Sequence, residues 1–239
     1  MKVLILDKKE EVIKKAAQIV LETIMKKQDC VVGLAAGKTM KPLYKEIASL
    51  CKKKKIDFSK VSTFSLDEYL GLNKQDKNSF AYFLEKNLLN KVNIKRENVH
   101  FLDGKSKNIP KTCADYEKKI KKLGGIDLQI LGIGENGHIG FNEPNSSFSS
   151  KTRKVKLSES TRLSRKKIPE FALTMGISTI LKSKKIILLA LGYTKAEAIK
   201  KTIQNKVTER VPATCLKKHP NAIVIINKLA ASKLSHNKI

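Results

Sequence analysis

Ile126-Asp127-Leu128-Gln129-Ile130-Leu131-Gly132-Ile133-Gly134-Glu135-Asn136-Gly137-His138-Ile139-Gly140-Phe141-Asn142-Glu143-Pro144-Asn145 is the stretch from which the fold is read. Its apolar run, residues 126–133, is too short for a typical helix and meets glycines at once, so it reads as a buried strand ending in a loop. Gly132, Gly134, Gly137 and Gly140 let the backbone turn sharply and approach a ligand closely, and Pro144 blocks a helical continuation. The pattern presents His138 at the carboxyl edge of a sheet, with Asn136 and Glu143 on either side. An imidazole, an amide and a carboxylate in one short segment are the parts of a proton-transfer site. A lone histidine is more often a structural residue than a catalytic one, but the glycine-rich setting and the nearby carboxylate favour chemistry here. Gly132-x-Gly134-x-x-Gly137 also matches a dinucleotide-binding fingerprint in form. That motif requires a helix opening on the third glycine, and Gly140, Asn142 and Pro144 break any such helix.

Composition narrows the class. A chain of 239 residues with 41% hydrophobic content can bury a sizeable core. It lacks any run of about 20 apolar residues, so no membrane partner is expected. Residues 1–7 begin strand-like and turn charged, without the apolar core of a signal peptide, which points to a cytoplasmic protein. Cys30, Cys51, Cys113 and Cys215 are scattered and indicate neither a disulfide framework nor a zinc site. The net charge of +27 is almost all lysine, with arginine only at Arg96, Arg153, Arg162, Arg165 and Arg210. No aromatic residues interleave with the lysines as a base-stacking platform requires, so a specific nucleic-acid partner is not expected.

Along the chain, short apolar runs alternate with longer amphipathic stretches. Strands are predicted over residues 2–6, 30–35, 61–66, 99–102, 126–132, 153–157, 171–174, 185–191 and 222–226. Helices are predicted over 9–26, 40–54, 79–90, 110–122, 177–181 and 195–205. The alternation defines an α/β fold with a mostly parallel central sheet covered by helices on both faces, a modified Rossmann-like arrangement. With no repeat and no linker, residues 1–239 read as a single domain.

Ligands in such a sheet bind at the carboxyl ends of the strands. Gly33-Leu34-Ala35-Ala36-Gly37-Lys38-Thr39 arrives there as a strand, a small-residue turn and a helix start. It falls one residue short of a nucleotide-binding P-loop, which argues against ATP, but backbone N–H groups, a lysine and a threonine hydroxyl suit a phosphate. Asp67-Glu68 follows a strand and reads equally as a functional pair or a helix-capping one. Lys195, after Leu191-Gly192-Tyr193-Thr194, sits at a helix start, where the dipole disfavours a cation without an anionic partner.

Asn136-Gly137-His138-Ile139-Gly140-Phe141-Asn142-Glu143-Pro144 resembles the signature of the glucosamine-6-phosphate deaminases, also called glucosamine-6-phosphate isomerases, and Phe64-Ser65-Leu66-Asp67-Glu68-Tyr69 resembles their second signature. The two stand in the family's order, and the likeness runs from the first strand to about Asn227. The resemblance implies an enzyme that isomerises and deaminates an amino-sugar phosphate, a hydrolase of N-acetylglucosamine catabolism that uses no metal and no cofactor. It implies Asp67 as the carbon-2 base, supported by Glu68 and Tyr69. His138 becomes the group that moves the ring-oxygen proton, with Asn136 and Glu143 orienting it. Gly37, Lys38 and Thr39 match the phosphate loop, although Ala36 and Lys38 replace the family's usual hydroxyl residue and second glycine. Lys195 matches a phosphate-binding lysine. Residues 158–169 match a mobile lid, shortened here, whose phosphate arginine is Arg165, with Arg162 the alternative. Arg153 matches an effector-site arginine, but Val155 and Lys156 depart from the pattern, so weak or no allosteric activation is expected. Family members are monomers or homo-oligomers. Galactosamine 6-phosphate as substrate, a 6-phosphogluconolactonase of the same fold and a non-catalytic sugar-phosphate sensor with a nucleic-acid-binding surface are the rival readings.

Overall fold

The computed structural model describes residues 1–163 and 168–235. In chain order the elements are β1 (Lys2–Leu6), α1 (Lys9–Lys26), β2 (Val31–Leu34), α2 (Met40–Lys54), β3 (Ser62–Ser65), β4 (Asp67–Tyr69) and α3 (Phe80–Asn87). There follow β5 (Val99–His100), α4 (Ile109–Lys122), β6 (Leu128–Leu131), β7 (Arg153–Lys156), α5 (Glu159–Leu163) and β8 (Phe171–Thr174). The chain continues through α6 (Ile177–Leu181), β9 (Lys185–Ala190), α7 (Ala196–Gln204), β10 (Ala222–Asn227) and α8 (Lys228–Ala231). Short 3-10 turns fill Leu89–Lys91, Arg96–Asn98, Tyr193–Lys195 and Pro212–Lys218.

Seven strands form one parallel sheet in the order β1-β10-β9-β6-β2-β3-β5. β2, β3 and β6 are buried along their whole length, as strands covered on both faces must be. Apolar spacing explains the covering helices. α1 buries Val12, Ile13, Ala16, Ala17, Val20, Leu21 and Ile24, a stripe at intervals of three and four residues. Parallel crossovers are right-handed, so the helices after β1, β2 and β3 lie on one face, while those after β5, β6 and β9 lie on the other. The chain leaves β2 in one direction across the sheet and β6 in the opposite direction, although the two are neighbours. A crevice therefore opens at their carboxyl ends, the switch point where open α/β sheets bind ligands.

The predicted elements recur with ends moved by at most three residues, and the expected mostly parallel sheet is present. A second sheet is new. Strands β7 and β8 were anticipated, but they join β4 in a separate three-stranded antiparallel sheet, order β4-β8-β7. β4 begins only two residues after β3 ends, so the sequence reads there as one strand followed by an acidic pair, functional or capping. α5, α8 and the turn over Pro212–Lys218 were not anticipated either. Among the described residues no helix is long and apolar enough to cross a membrane.

Cys30, Cys51, Cys113 and Cys215 are unpaired and buried. At the amino ends of the strands, Asp127 acts as a clasp. Its carboxylate accepts from the Val31 N–H at 2.8 Å and from Lys27 and Lys184, each at 2.7 Å, joining the end of α1 to β2, β6 and β9. Burial pushes this carboxyl up, but bonds from Lys184, Lys27 and the Val31 N–H outweigh it and hold the group below the usual carboxylate range. A depressed carboxylate contributes stability that is present above its unfolded value of about 3.9 and is lost as pH falls through the folded value. Because both lysines are partly exposed, Asp127→Asn is expected to cost about 1–2 kcal/mol at neutral pH. The gap in melting temperature between variant and wild type should close below about pH 4; an equal gap at pH 6 and pH 3 would contradict the clasp.

Candidate active site

The loop 132–145 leaves β6 and folds back on itself. The Gly134 N–H donates to the His138 carbonyl at 2.9 Å, and the Gly137 N–H donates to the Gly134 carbonyl at 3.0 Å. The His138 ring lies directly on Gly134, where an added Cβ would stand 2.2 Å from ring atom Cε1. Only glycine leaves room for the imidazole. At Gly140, with φ +58°, an added Cβ would press on the Thr174 hydroxyl at 2.9 Å and on Leu66 at 3.2 Å. The loop thus rests against the residue next to Asp67 and against Thr174, which pairs with Asp67 across β4 and β8. Thr174 also accepts the Phe141 N–H at 3.1 Å.

Asn136, His138 and Glu143 converge. The Asn136 amide donates to Glu143 Oε2 at 2.9 Å, and its carbonyl oxygen accepts the His138 N–H at 3.1 Å. His138 Nδ1 is buried and stands 3.4 Å from Glu143 Oε2, an ion-pair separation without good hydrogen-bond geometry. The other carboxylate oxygen accepts from the Thr161 hydroxyl at 2.5 Å. Burial alone pushes the Glu143 carboxyl up. The polar contact and charge of His138, with Thr161 and Asn136, outweigh burial and bring it to about 2. Across the neutral range Glu143 is therefore an anion facing the imidazole.

Asp67 opens β4 and is 6% exposed. Alternation along the strand separates it from Glu68, whose carboxylate accepts the N–H groups of Tyr69, Phe80 and Ala81 at 2.8, 3.0 and 2.9 Å. Glu68 thus takes two first-turn N–H groups of α3, beside the Ser79 cap that accepts the Tyr82 N–H, and it fixes β4 beneath Asp67. Tyr69 packs with Phe80 and Phe141, tying β4, α3 and the His138 loop into one aromatic cluster. The negative charge of Asp67 reaches the Tyr44 and Tyr116 phenols, both pushed up chiefly by burial. Tyr44 donates to the Ala35 carbonyl at 2.5 Å, which sets the turn containing Gly37 beside the same rim.

Lys195 arrives at the carboxyl end of β9, its ammonium 3.8 Å from Glu135, the residue before Asn136. Gly37 and Thr39 are half-buried at the start of α2, whereas Lys38 is exposed and, among the described residues, makes no hydrogen bond or ion pair with the rest of the cluster. Arg162 is exposed on α5. Arg165 lies outside the described residues. Arg153 donates to Asn142 at 2.9 Å, and Asn142 in turn donates to the carbonyls of Ile139 and Met175, so this arginine braces the base of the loop. Thr161, Thr174 and the segment around Val211, whose side chain packs on Gly137, were missed from sequence because nothing local marks them. Two clefts of about 400 and 450 Å³ lie elsewhere, one lined by Gly71, Lys105 and Lys154, the other by Lys45, Lys52 and Lys91, and neither includes a residue of the cluster.

Comparison with known proteins gives the family. Residues 7–225 match the family model for glucosamine-6-phosphate isomerases/6-phosphogluconolactonase, and the chain belongs to that family. Within it, a glucosamine-6-phosphate deaminase of Clostridium botulinum is 48% identical, covering 98% of this chain and 99% of its own. One of Thermoanaerobacter pseudethanolicus is 49% identical, covering 97% and 94%. A solved monomeric glucosamine-6-phosphate deaminase superposes with a TM-score of 0.95 at 39% identity, over 97% of this chain and 99% of that one. The 6-phosphogluconolactonase of Trypanosoma cruzi shares the fold, with a TM-score of 0.79 at 21% identity, over 98% of this chain and 97% of that one.

Gly134→Ala tests the seating of the imidazole. The added methyl must displace the His138 ring, so turnover is expected to fall by about 10²-fold or more with only a modest loss of melting temperature. Unchanged turnover would show that the ring does not need this seat.

Proposed function

We propose that the protein converts glucosamine 6-phosphate and water to fructose 6-phosphate and ammonia. The observation that carries the reading is the convergence of Asn136, His138 and an ionised Glu143 on the rim that also bears Asp67. The high identity to deaminases over nearly full length supports the same reaction. The lactonase alternative shares the family model and the fold, but the Trypanosoma cruzi lactonase is only 21% identical.

In this mechanism His138 takes the proton of the anomeric hydroxyl and passes it to the ring oxygen as the pyranose opens, using Nε2 because Nδ1 faces Glu143. Glu143 stabilises the imidazolium, and Asn136 fixes both partners. Asp67 then takes the proton from carbon 2 and returns it to carbon 1, while a proton of the carbon-2 ammonium passes to the carbon-1 oxygen. The resulting imine at carbon 2 adds water and expels ammonia, a hydrolytic end to an isomerisation. Each step moves protons between positioned groups, and such groups contribute about 10²–10⁴-fold apiece. The phosphate is held by Lys195, by the backbone and hydroxyl donors of Gly37, Lys38 and Thr39 at the start of α2, and by Arg165 or, as the alternative, Arg162. Lys195 at a helix start gains a partner in that phosphate, which offsets the dipole. Residues 1–239 act as one domain, in the cytoplasm, in amino-sugar breakdown.

His138→Ala and Asp67→Asn should each lower ammonia release by about 10²–10⁴-fold in an assay coupled to fructose 6-phosphate. Wild-type turnover in both would remove the mechanism. The same assay is expected to favour glucosamine 6-phosphate over galactosamine 6-phosphate and to give a hyperbolic rate curve that N-acetylglucosamine 6-phosphate leaves unchanged.

A further inference from the structure

Glu143 is engaged from two sides. Oε2 takes the Asn136 amide and faces His138, while Oε1 takes the Thr161 hydroxyl from α5, an element eighteen residues further along the chain. Thr161 is itself fixed: its N–H donates to the Ser158 hydroxyl at 3.2 Å, and the Ser158 hydroxyl donates to Thr161 Oγ1 at 3.1 Å. With its oxygen accepting from Ser158, the Thr161 proton is directed at the carboxylate. The side chain is buried, so no solvent competes freely for that bond.

From this arrangement we infer that Thr161 is a positioning residue for the deamination, holding Glu143 at the rotation that serves His138 and setting how tightly the carboxylate–imidazole unit binds its proton. The inference rests on the reading of His138 and Glu143 as the acid–base pair.

The direction of the effect follows from charge. A hydroxyl donor is most favourable to the carboxylate when no imidazolium already offsets its charge, so Thr161 stabilises the deprotonated form of the unit over the protonated one. Removing the hydroxyl should raise the unit's proton affinity. Among the described residues, the other charged groups on the loop of Glu143 and the segments next to it are Lys195 with its partner Glu135, Arg153 bonded to Asn142, Glu209 whose carboxylate accepts the Phe148 N–H, and Glu159 and Arg162, both exposed on α5. None of them donates to the carboxylate oxygens. Thr161 therefore has a role that its neighbours on α5 do not duplicate.

The test measures kcat and KM for glucosamine 6-phosphate against pH in Thr161→Val, Thr161→Ala and Thr161→Ser, with His138→Ala and Glu143→Gln beside them. Valine keeps the shape and alanine relieves any crowding, so at least one hydroxyl-free variant folds, as its melting temperature reports. The expected result is a loss of about tenfold in kcat, a KM within about twofold, and an acid limb of kcat moved up by about half a pH unit. Serine should restore all three. Wild-type kcat and limb in the hydroxyl-free variants, or a serine variant as impaired as they are, would overturn the inference. Full activity in His138→Ala and Glu143→Gln would instead overturn the acid–base reading itself.

Discussion

The site depends on one topological constraint. β2 and β6 are adjacent and parallel, yet their chains depart in opposite directions, so a gap opens between their carboxyl ends. Everything with chemical character is delivered to that gap or beside it: Gly37 after β2, Asp67 after β3, His138 after β6 and Lys195 after β9. Exposed side chains placed on loops alone would wander. Here the loop 132–145 is pinned by Asn142 to Met175, by Gly140 to Leu66 and Thr174, and by Gly137 to Val211. A rigid parallel sheet gives the coarse position, and these contacts supply the fine one.

Around Glu143 the energetics are those of a buried charge made tolerable by partners. An isolated carboxylate at this depth would protonate; three polar neighbours keep it ionised instead. The arrangement is asymmetric, since one oxygen answers to the loop and the other to α5. Glu68 shows the contrasting case. Its carboxylate also collects three donors, the Tyr69 N–H of its own strand and the Phe80 and Ala81 N–H groups at the start of α3, yet burial still leaves it pushed up. Two neighbouring acidic residues on one strand thus part company, one acting by its charge on the Tyr44 and Tyr116 phenols and the other serving the scaffold.

Much of this was legible in the sequence because periodicity and glycine placement are local signals. The strand before His138, the turn around it and the alternation of strands and helices follow from residues read a few at a time. The second sheet was not legible, since β4 is three residues long and its partner β8 lies about a hundred residues away. Asp67-Glu68 could be read as a pair but not divided, because which residue faces which way depends on the register with β8. Thr161 was invisible for the same reason: a threonine in a polar stretch carries no mark of the carboxylate it meets. Arg165 owed its role only to family resemblance, and the described residues do not reach it.

The four cysteines give the fold an unintended property. All are sequestered, and burial pushes each thiol up, those of Cys30, Cys51 and Cys215 to about 12. Thiolate is the species that alkylating reagents and oxidants attack, so the native molecule offers them almost none. Cys30 adjoins β2, Cys51 lies in α2, Cys113 in α4 and Cys215 in the turn over Pro212–Lys218, on well-separated parts of the chain. Their reactivity is a built-in gauge of breathing motions, one probe for each region.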